Sequence, residues 1–486
     1  MYDAVVLGLG GVGSFALRAL AQQGRGGRFL GLEQGRLLGS TIVDGWSTTT
    51  TQNPMTTTTS VSNHTLPVRG SSQGRTRIYR RAYFEHANYV PWIEHSLKVF
   101  QELQTMTNKH HGELYRECGM ILVSPETSTG DLPPTLQSSY HSAQTHGIEV
   151  QVWNQQDLDE RLPQLSYTKN TNFVGVFEPA AGFLRPERIL RAAMDQAMAA
   201  SEVTVLSHAR VIGKLESVPR TKEQPSHVVL TIRYPKDPNN NNNNNTLVET
   251  NEEDWTTETI ATRKLVIAAG AWTGQLVPSW KSLLTPTRQI QGWIDVDHPY
   301  GTDMSTLPND HKGLDPSLYM ADAFPAWLLE RPDWEIPLYG LPFDDEADEM
   351  EARHWIKVAA HGRPCPIMDP SCHIQHPYHA TEQELTELQQ VAQKALARSI
   401  EVPFQFVDTM PCLYTMTRDH HYCIGRVQPH VYAVAGLSGH GFKMTPALGQ
   451  MLCDVALSDI QDERMDEWLD EQWHTGFCSP QRFWQK

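Results

Sequence analysis

Hydrophobic and polar positions at the start of the chain spell a strand, a turn, a helix and a second strand. Tyr2 to Leu7 is a short apolar run, Gly8 to Gly13 a glycine-rich turn, and Val12 to Gln22 has apolar residues at helical spacing. Arg28 to Leu32 is another apolar run, closed by Glu33. Apolar strands on either side of a helix predict parallel pairing, because such strands are covered on both faces. Two later runs have the same character. Leu265 to Ala269 ends in Gly270-Ala271-Trp272, and Val431 to Ala435 ends in Gly436 and runs into Leu437-Ser438-Gly439-His440-Gly441. One parallel sheet is therefore expected to draw strands from the start, middle and end of the chain. The stretches between mix helical and alternating patterns and predict a second, α+β domain.

The expected division is 1–84, 166–285 and 406–470 for the first domain, and 85–165 and 286–405 for the second. Low-complexity inserts are expected at 45–69, where threonines dominate (Thr48 to Thr51, Thr56 to Thr59), and at 236–256, which holds an unbroken run from Asn239 to Asn245. Neither buries enough apolar surface to offset its ordering entropy, so both read as surface loops. Asp344 to Glu351 is acidic and is expected to be solvated.

Composition narrows the class. At roughly 100–200 residues per domain, 486 residues allow two to four domains. Hydrophobic residues make up 40% and charged residues 20%, which excludes a wholly disordered chain. The net charge of −16 disfavours non-specific binding to nucleic acid or anionic membrane. Seven cysteines at scattered spacings do not form a disulfide framework, which fits a reducing compartment. No apolar run reaches the roughly 18 residues of a membrane span. The apolar stretch Ala4 to Leu17 lacks a basic flank and carries four glycines, so it does not read as a signal peptide. The sequons at Asn63 and Asn244 are accordingly expected to carry no glycan. The expected location is intracellular, cytoplasmic or peroxisomal, although Phe483-Trp484-Gln485-Lys486 is not a Ser-Lys-Leu-type address. Two groups, Cys365, Cys372, His373 and His376, and His420, His421 and Cys423, fit no standard zinc spacing, and no metal is expected.

Gly8-Leu9-Gly10-Gly11-Val12-Gly13 is G-x-G-x-x-G directly after a strand and opening a helix, and Glu33 follows twenty residues after Gly13. In such a unit Gly8 makes the turn, Gly10 lets a pyrophosphate approach the helix N-terminus, and Gly13 allows close helix–sheet contact. The acid accepts hydrogen bonds from an adenosine ribose and disfavours a 2′-phosphate, leaving FAD or NAD.

Six further segments decide between these. They are Gly70-Ser71-Ser72-Gln73-Gly74-Arg75-Thr76-Arg77-Ile78-Tyr79-Arg80, Phe177-Glu178-Pro179, Gly270-Ala271-Trp272, Tyr339-Gly340-Leu341-Pro342, Cys412-Leu413-Tyr414-Thr415 and Ser438-Gly439-His440-Gly441-Phe442-Lys443. In content and order the chain resembles the monomeric sarcosine oxidase family of flavin amine oxidases, from residue 3 to about residue 460. That group includes sarcosine, N-methyltryptophan and L-pipecolate oxidases, with fructosyl amino acid oxidases close by. The resemblance implies an α/β plus α+β fold: an FAD-binding, glutathione-reductase-like Rossmann domain with an interleaved substrate domain built on a mixed or antiparallel sheet. It also implies a monomer.

The resemblance gives roles to residues that are ambiguous alone. Cys412 by itself reads as a buried structural cysteine; the resemblance makes it the covalent attachment point of FAD. Arg77 and Arg80 lie three apart and would share one face of a helical turn. The resemblance sets Arg77 beside the flavin ring and Arg80 on the substrate carboxylate, with Lys443 as second carboxylate partner. A guanidinium and an ammonium suit an amino-acid carboxylate. Lys357 stands among apolar residues, where an unpaired lysine is unusual; the resemblance places it over the flavin to promote reaction with O2. His361, Tyr339 and Tyr414 are implied to line the substrate cavity, and Gly270, Gly439 and Gly441 to approach the cofactor. Gln73 departs from the family pattern, in which many relatives have a histidine near the flavin. The expected reaction is oxidation of a secondary amino acid to an imine, with O2 as acceptor and H2O2 as product. The alternatives are an L-pipecolate or fructosyl amino acid oxidase, a dehydrogenase on the same scaffold, an inactive flavin-binding protein and an NAD enzyme.

Overall fold

The computed structural model describes residues 1–35, 46–47, 70–222, 224–236, 255–299, 315–347, 350–367, 369–370, 380–396 and 404–484. Most of the Thr-rich insert and the Asn-rich run lie outside them, as do Asn63, Asn244, Cys372, His373 and His376.

The first sheet has nine strands, and its parallel heart is the one anticipated from the apolar runs. Tyr2–Leu7 pairs in parallel with Phe29–Leu32 on one side and with the end of Trp255–Ile267 on the other. Val203–Leu206 continues the sheet beyond Phe29–Leu32, and Val431–Ala435 pairs in parallel with Leu265–Ile267. Side chains alternate across a strand, so Ala4 and Val6 enter one apolar core while Val5 and Leu7 enter another. Burial on both faces is why these strands read as continuous apolar runs. The first of these cores lies under helices Gly11–Gln23, Tyr89–His111, Pro186–Met198 and Thr445–Leu457. An antiparallel pair, Arg210–Val218 and His227–Pro235, extends the sheet beside Trp255–Ile267.

The second sheet has eight strands, in the order Asp408–Met416, Thr285–Asp295, Trp355–Ala360, Leu338–Leu341, Ala326–Leu329, Met120–Pro125, Phe173–Glu178 and Gln151–Trp153. Ala326–Leu329 and Met120–Pro125 run parallel and the other pairs antiparallel, so the sheet is mixed.

Several expectations change. Phe173–Glu178 and Asp408–Met416 belong to the second sheet, although 166–285 and 406–470 are expected in the first domain. Tyr89–His111, expected in the second domain, packs its Val90, Ile93 and Phe100 into the core of the first. Residue pattern marks a strand or helix but not the distant element it will pack on. Arg77–Tyr79 is a strand in a small third sheet with Gly182–Leu184 and Tyr115–Glu117, not a helical turn, so Arg77 and Arg80 do not share a helical face.

The acidic stretch from Asp344 is not simply solvated. The Asp344 carboxylate is buried and accepts two hydrogen bonds from the Arg185 guanidinium, one of them 2.8 Å. Arg185 also donates to Glu113 at 2.7 Å. Removing one partner of a buried pair leaves an uncompensated charge, so Asp344→Ala is expected to destabilise the fold by about 3 kcal/mol. Urea denaturation measures this; a loss under about 0.5 kcal/mol would mark the pair as a surface one.

Candidate active site

The turn after the first strand is shaped by close approach. At Gly8 φ is +89°, and a Cβ there would stand 2.6 Å from the Ala268 carbonyl oxygen. A Cβ on Gly13 would lie 1.7 Å from the Gly8 carbonyl oxygen, so helix Gly11–Gln23 can start against the strand only with glycine at this point. Glu33 ties the turn down: its carboxylate accepts from the Leu9 and Gly35 amides, each at 2.8 Å. The Gly11 amide at the helix start donates to Ser72 Oγ at 2.9 Å. Ser72 lies in one of the segments that carry the resemblance, yet nothing in its type or spacing assigns it a role.

Across from this turn stands one face of the second sheet. Thr285–Asp295 is paired on both sides: Gln289 opposite Cys412, Gln291 opposite Ala359, and Trp293 between Asp408 and Lys357. Tyr339 is also opposite Ala359. Period-two alternation then places Cys412, Tyr414, Gln289, Gln291, Lys357 and Tyr339 on the same face.

A single cavity runs from the glycine turn to this face. Its wall includes Gly8, Gly10, Glu33, Arg77, Arg80, Gly270, Tyr339, His361, Cys412, Tyr414, Gly439, Gly441 and Lys443. Of the residues anticipated from sequence, Gly13 and Lys357 do not line it. Gly13 acts from behind, through packing. Lys357 is buried behind the loop at 74–76, where its Nζ donates to the carbonyls of Thr76 (2.7 Å) and Gly74 (3.2 Å) and lies 5.5 Å from the centre of the Trp293 ring. Burial, reinforced by Arg77, pushes its pKa well below the usual lysine value.

Arg77 Nη1 donates to the carbonyls of Gly74 (3.1 Å) and Thr76 (3.0 Å) and to Gln291 Oε1 (2.9 Å), and Nη2 donates to the Gln73 carbonyl. Nη2 is 3.9 Å from Cys412 Sγ. The amide nitrogen of Gln291, on the cavity wall, is buried without a partner.

Arg80 is enclosed. One guanidinium nitrogen donates to both Glu85 oxygens (2.8 and 2.7 Å), the other to the Ala82 carbonyl (2.9 Å), and the group lies 4.4 Å and 4.2 Å from the ring centres of Tyr83 and Phe84. Lys443 Nζ donates to the His440 carbonyl at 3.1 Å and lies 5.3 Å from the centre of the same Tyr83 ring. Burial, then the nearby Arg80, pushes Lys443 down to about 7, with Glu85 opposing. Burial works to raise the Glu85 carboxyl, but Arg80, His440 and Lys443 hold it down at about 2. Sequence reasoning missed Glu85; its signal was an acid five residues after Arg80. His361 stands 6.2 Å from Tyr339 and 6.0 Å from Tyr414 between ring centres. Burial, with Lys443 and Arg80 adding to it and Glu85 opposing, brings its pKa down to about 4, so the imidazole is neutral near pH 7.

The FAD dependent oxidoreductase family model matches residues 3–455. The chain belongs to this family. As a member of it, the protein is an FAD-dependent oxidoreductase. It is 26% identical over 460 residues to monomeric sarcosine oxidase of Streptomyces avermitilis, covering 94% of each chain. It is 26% identical over 384 residues to N-methyl-L-tryptophan oxidase of Yersinia pestis, covering 79% of this chain and 83% of that one. Among solved structures, NikD, an amino acid oxidase essential for nikkomycin biosynthesis, superposes with a TM-score of 0.63 at 16% identity, covering 95% of each chain. Fructosyl amine:oxygen oxidoreductase of Aspergillus fumigatus superposes at 0.56 with 13% identity, covering 97% of this chain and 91% of that one. These two likenesses bear on the fold alone.

The residues present fit FAD. The glycine turn opens beside a helix N-terminus suited to a pyrophosphate, Glu33 lies where a ribose acceptor is needed, and Gln291 offers an unused amide N–H. Gly13→Ala is expected to give protein without the yellow flavin absorbance, because the added methyl collides with the Gly8 carbonyl. Purified variant with full flavin content would contradict this reading of the turn.

Proposed function

We propose that the protein oxidises a secondary amino acid, N-methyl or cyclic, to its imine with O2 as acceptor. The observation that carries this is the convergence of Arg80 and Lys443 on one cavity with Arg77, Cys412 and the dinucleotide turn. When bound, FAD would supply the two-electron acceptor: the hydride from the carbon next to nitrogen and the proton from nitrogen would together reach O2 as H2O2, leaving the imine. Water then splits an N-methyl imine into the primary amino acid and formaldehyde; a cyclic substrate ends as the cyclic imine.

In this reading Arg80 and Lys443 hold the substrate carboxylate. Glu85 already engages Arg80, so the incoming carboxylate competes with it or adds to it, which makes Lys443 the more available anchor. A substrate ammonium as basic as that of lysine titrates about three units above pH 7, and removing its proton costs about 4 kcal/mol. The neighbouring cations Arg77, Arg80 and Lys443 reduce that cost by disfavouring a second positive charge. The neutral His361, between Tyr339 and Tyr414, can accept a hydrogen bond from the substrate N–H without adding charge. Lys357 is assigned to the reaction with O2, where a nearby cation stabilises developing negative charge. The alternative is a dehydrogenase on the same scaffold. Peroxide formation with N-methyl amino acids supports the oxidase; dye reduction under argon without peroxide in air supports the dehydrogenase.

The attachment of FAD is assigned to Cys412, whose sulfur faces the cavity beside Arg77. Acid-precipitated wild-type protein is expected to keep its yellow colour in the pellet, and Cys412→Ser to release it to the supernatant. Colour that stays in the variant pellet would move the attachment elsewhere.

Lys443 supplies a pH signature. It is protonated below about 7 and loses its charge above, so carboxylate binding is expected to weaken as pH rises through that value. A charge-assisted hydrogen bond is worth about 1.5–3 kcal/mol, so Lys443→Met is expected to raise KM by roughly 10- to 150-fold. It is also expected to remove that limb of the kcat/KM profile. An unchanged KM and profile would exclude Lys443 from substrate binding.

A further inference from the structure

Arg75 is not part of the cavity, yet its contacts are unusual for an arginine on a turn. It has φ of +48°, a strained region for a residue with a side chain. Its guanidinium carbon lies 4.9 Å from the ring centre of Trp293 and 4.9 Å from that of Trp355, and Nη1 pairs with Asp408 at 2.8 Å. These partners come from one face of the second sheet. Trp293 is in register with Asp408 on one side and Lys357 on the other, and Trp355 precedes Lys357 by two residues on the same strand. The turn that bears Arg75 presents the carbonyls of Gly74 and Thr76, which are the hydrogen-bond acceptors of Lys357 Nζ.

We propose that Arg75 is the positioning residue of Lys357. Held between two indoles and tied to Asp408, its side chain docks the turn at 74–76 onto the sheet and so keeps the two carbonyls over the lysine amine. The Trp293 ring is shared: Arg75 and Lys357 both approach it, so displacing either cation changes the seat of the other. Planar stacking together with a carboxylate pair suits a guanidinium better than an ammonium.

The inference rests on the assignment of Lys357 to the O2 step, and two readouts separate its failure from that of the assignment. The first is independent of activity: acetylation of the Lys357 amine at fixed pH, followed by peptide mass spectrometry. Freeing the turn opens this site locally, so Arg75→Ala and Trp355→Leu are each expected to label Lys357 at least about tenfold faster than wild type. Labelling at the wild-type rate in both would overturn the proposal; if one variant does not fold, the other decides. The second readout is reoxidation of dithionite-reduced holoenzyme by O2. Arg75→Ala is expected to slow it about fivefold or more, with anaerobic reduction by substrate changed less than about twofold. In the Lys357→Met background Arg75→Ala is expected to add nothing, because the two act as one unit. Fully additive slowing would overturn the proposal. If Lys357→Met alone reoxidises at the wild-type rate, the O2 role of Lys357 fails, and the labelling result still judges Arg75.

Discussion

The register of strand Thr285–Asp295 against its two neighbours sets one wall of the site. It pairs with Asp408–Met416 over nine residue pairs and with Trp355–Ala360 over five. Together they turn Cys412, Tyr414, Gln291 and Lys357 to one side. A slip of one residue on either side would carry that strand's functional side chains to the opposite face. Such a slip would also bury polar groups in an apolar core, since Ile290, Ile294, Ile356 and Val358 occupy the alternate positions there. The packing of one face therefore enforces the chemistry of the other.

Charge is arranged against the average of the molecule. The chain carries −16 overall, yet Arg77, Arg80 and Lys443 stand on one cavity wall. Burying cations together is unfavourable, and the response of each differs. Arg80 is compensated by Glu85, which stays ionised down to about pH 2. Among the described residues the Lys443 amine donates to the His440 carbonyl oxygen alone, and burial and Arg80 push its pKa down to about 7. His361 gives up its charge altogether near neutral pH. The result is a site with room for one more anion, as the proposed carboxylate anchor requires, and with little tolerance for an additional cation.

Local features were legible from the sequence, and features made by distant contacts were not. The first βαβ unit, the three glycines and Glu33 lie within 33 residues and could be read directly. Cys412, Tyr414, Gly439 and Lys443 were given roles only by the family resemblance of the short motifs they sit in. The sheet that Phe173–Glu178 and Asp408–Met416 would join could not be read, since their partners are found in other parts of the chain. The same holds for Arg77–Tyr79, which is a strand because Gly182–Leu184 pairs with it. Asp344 looked solvated because its neighbours are acidic; Arg185, 159 residues away, buries it. Lys357 stands out in the sequence as a lysine in an apolar strand, but its lodging behind the turn at 74–76 depends on Arg75, Trp293 and Trp355 meeting in three dimensions.

In the proposed reaction the cavity holds an amino acid by its carboxylate, and the carbon next to its nitrogen is oxidised. Anaerobic titration of the purified yellow protein tests this most directly, with an N-methyl amino acid and with the corresponding N-methyl amine that lacks the carboxylate. The acid is expected to bleach the flavin absorbance and the amine to leave it intact at the same concentration. Equal bleaching by both, or bleaching by the amine alone, would contradict it.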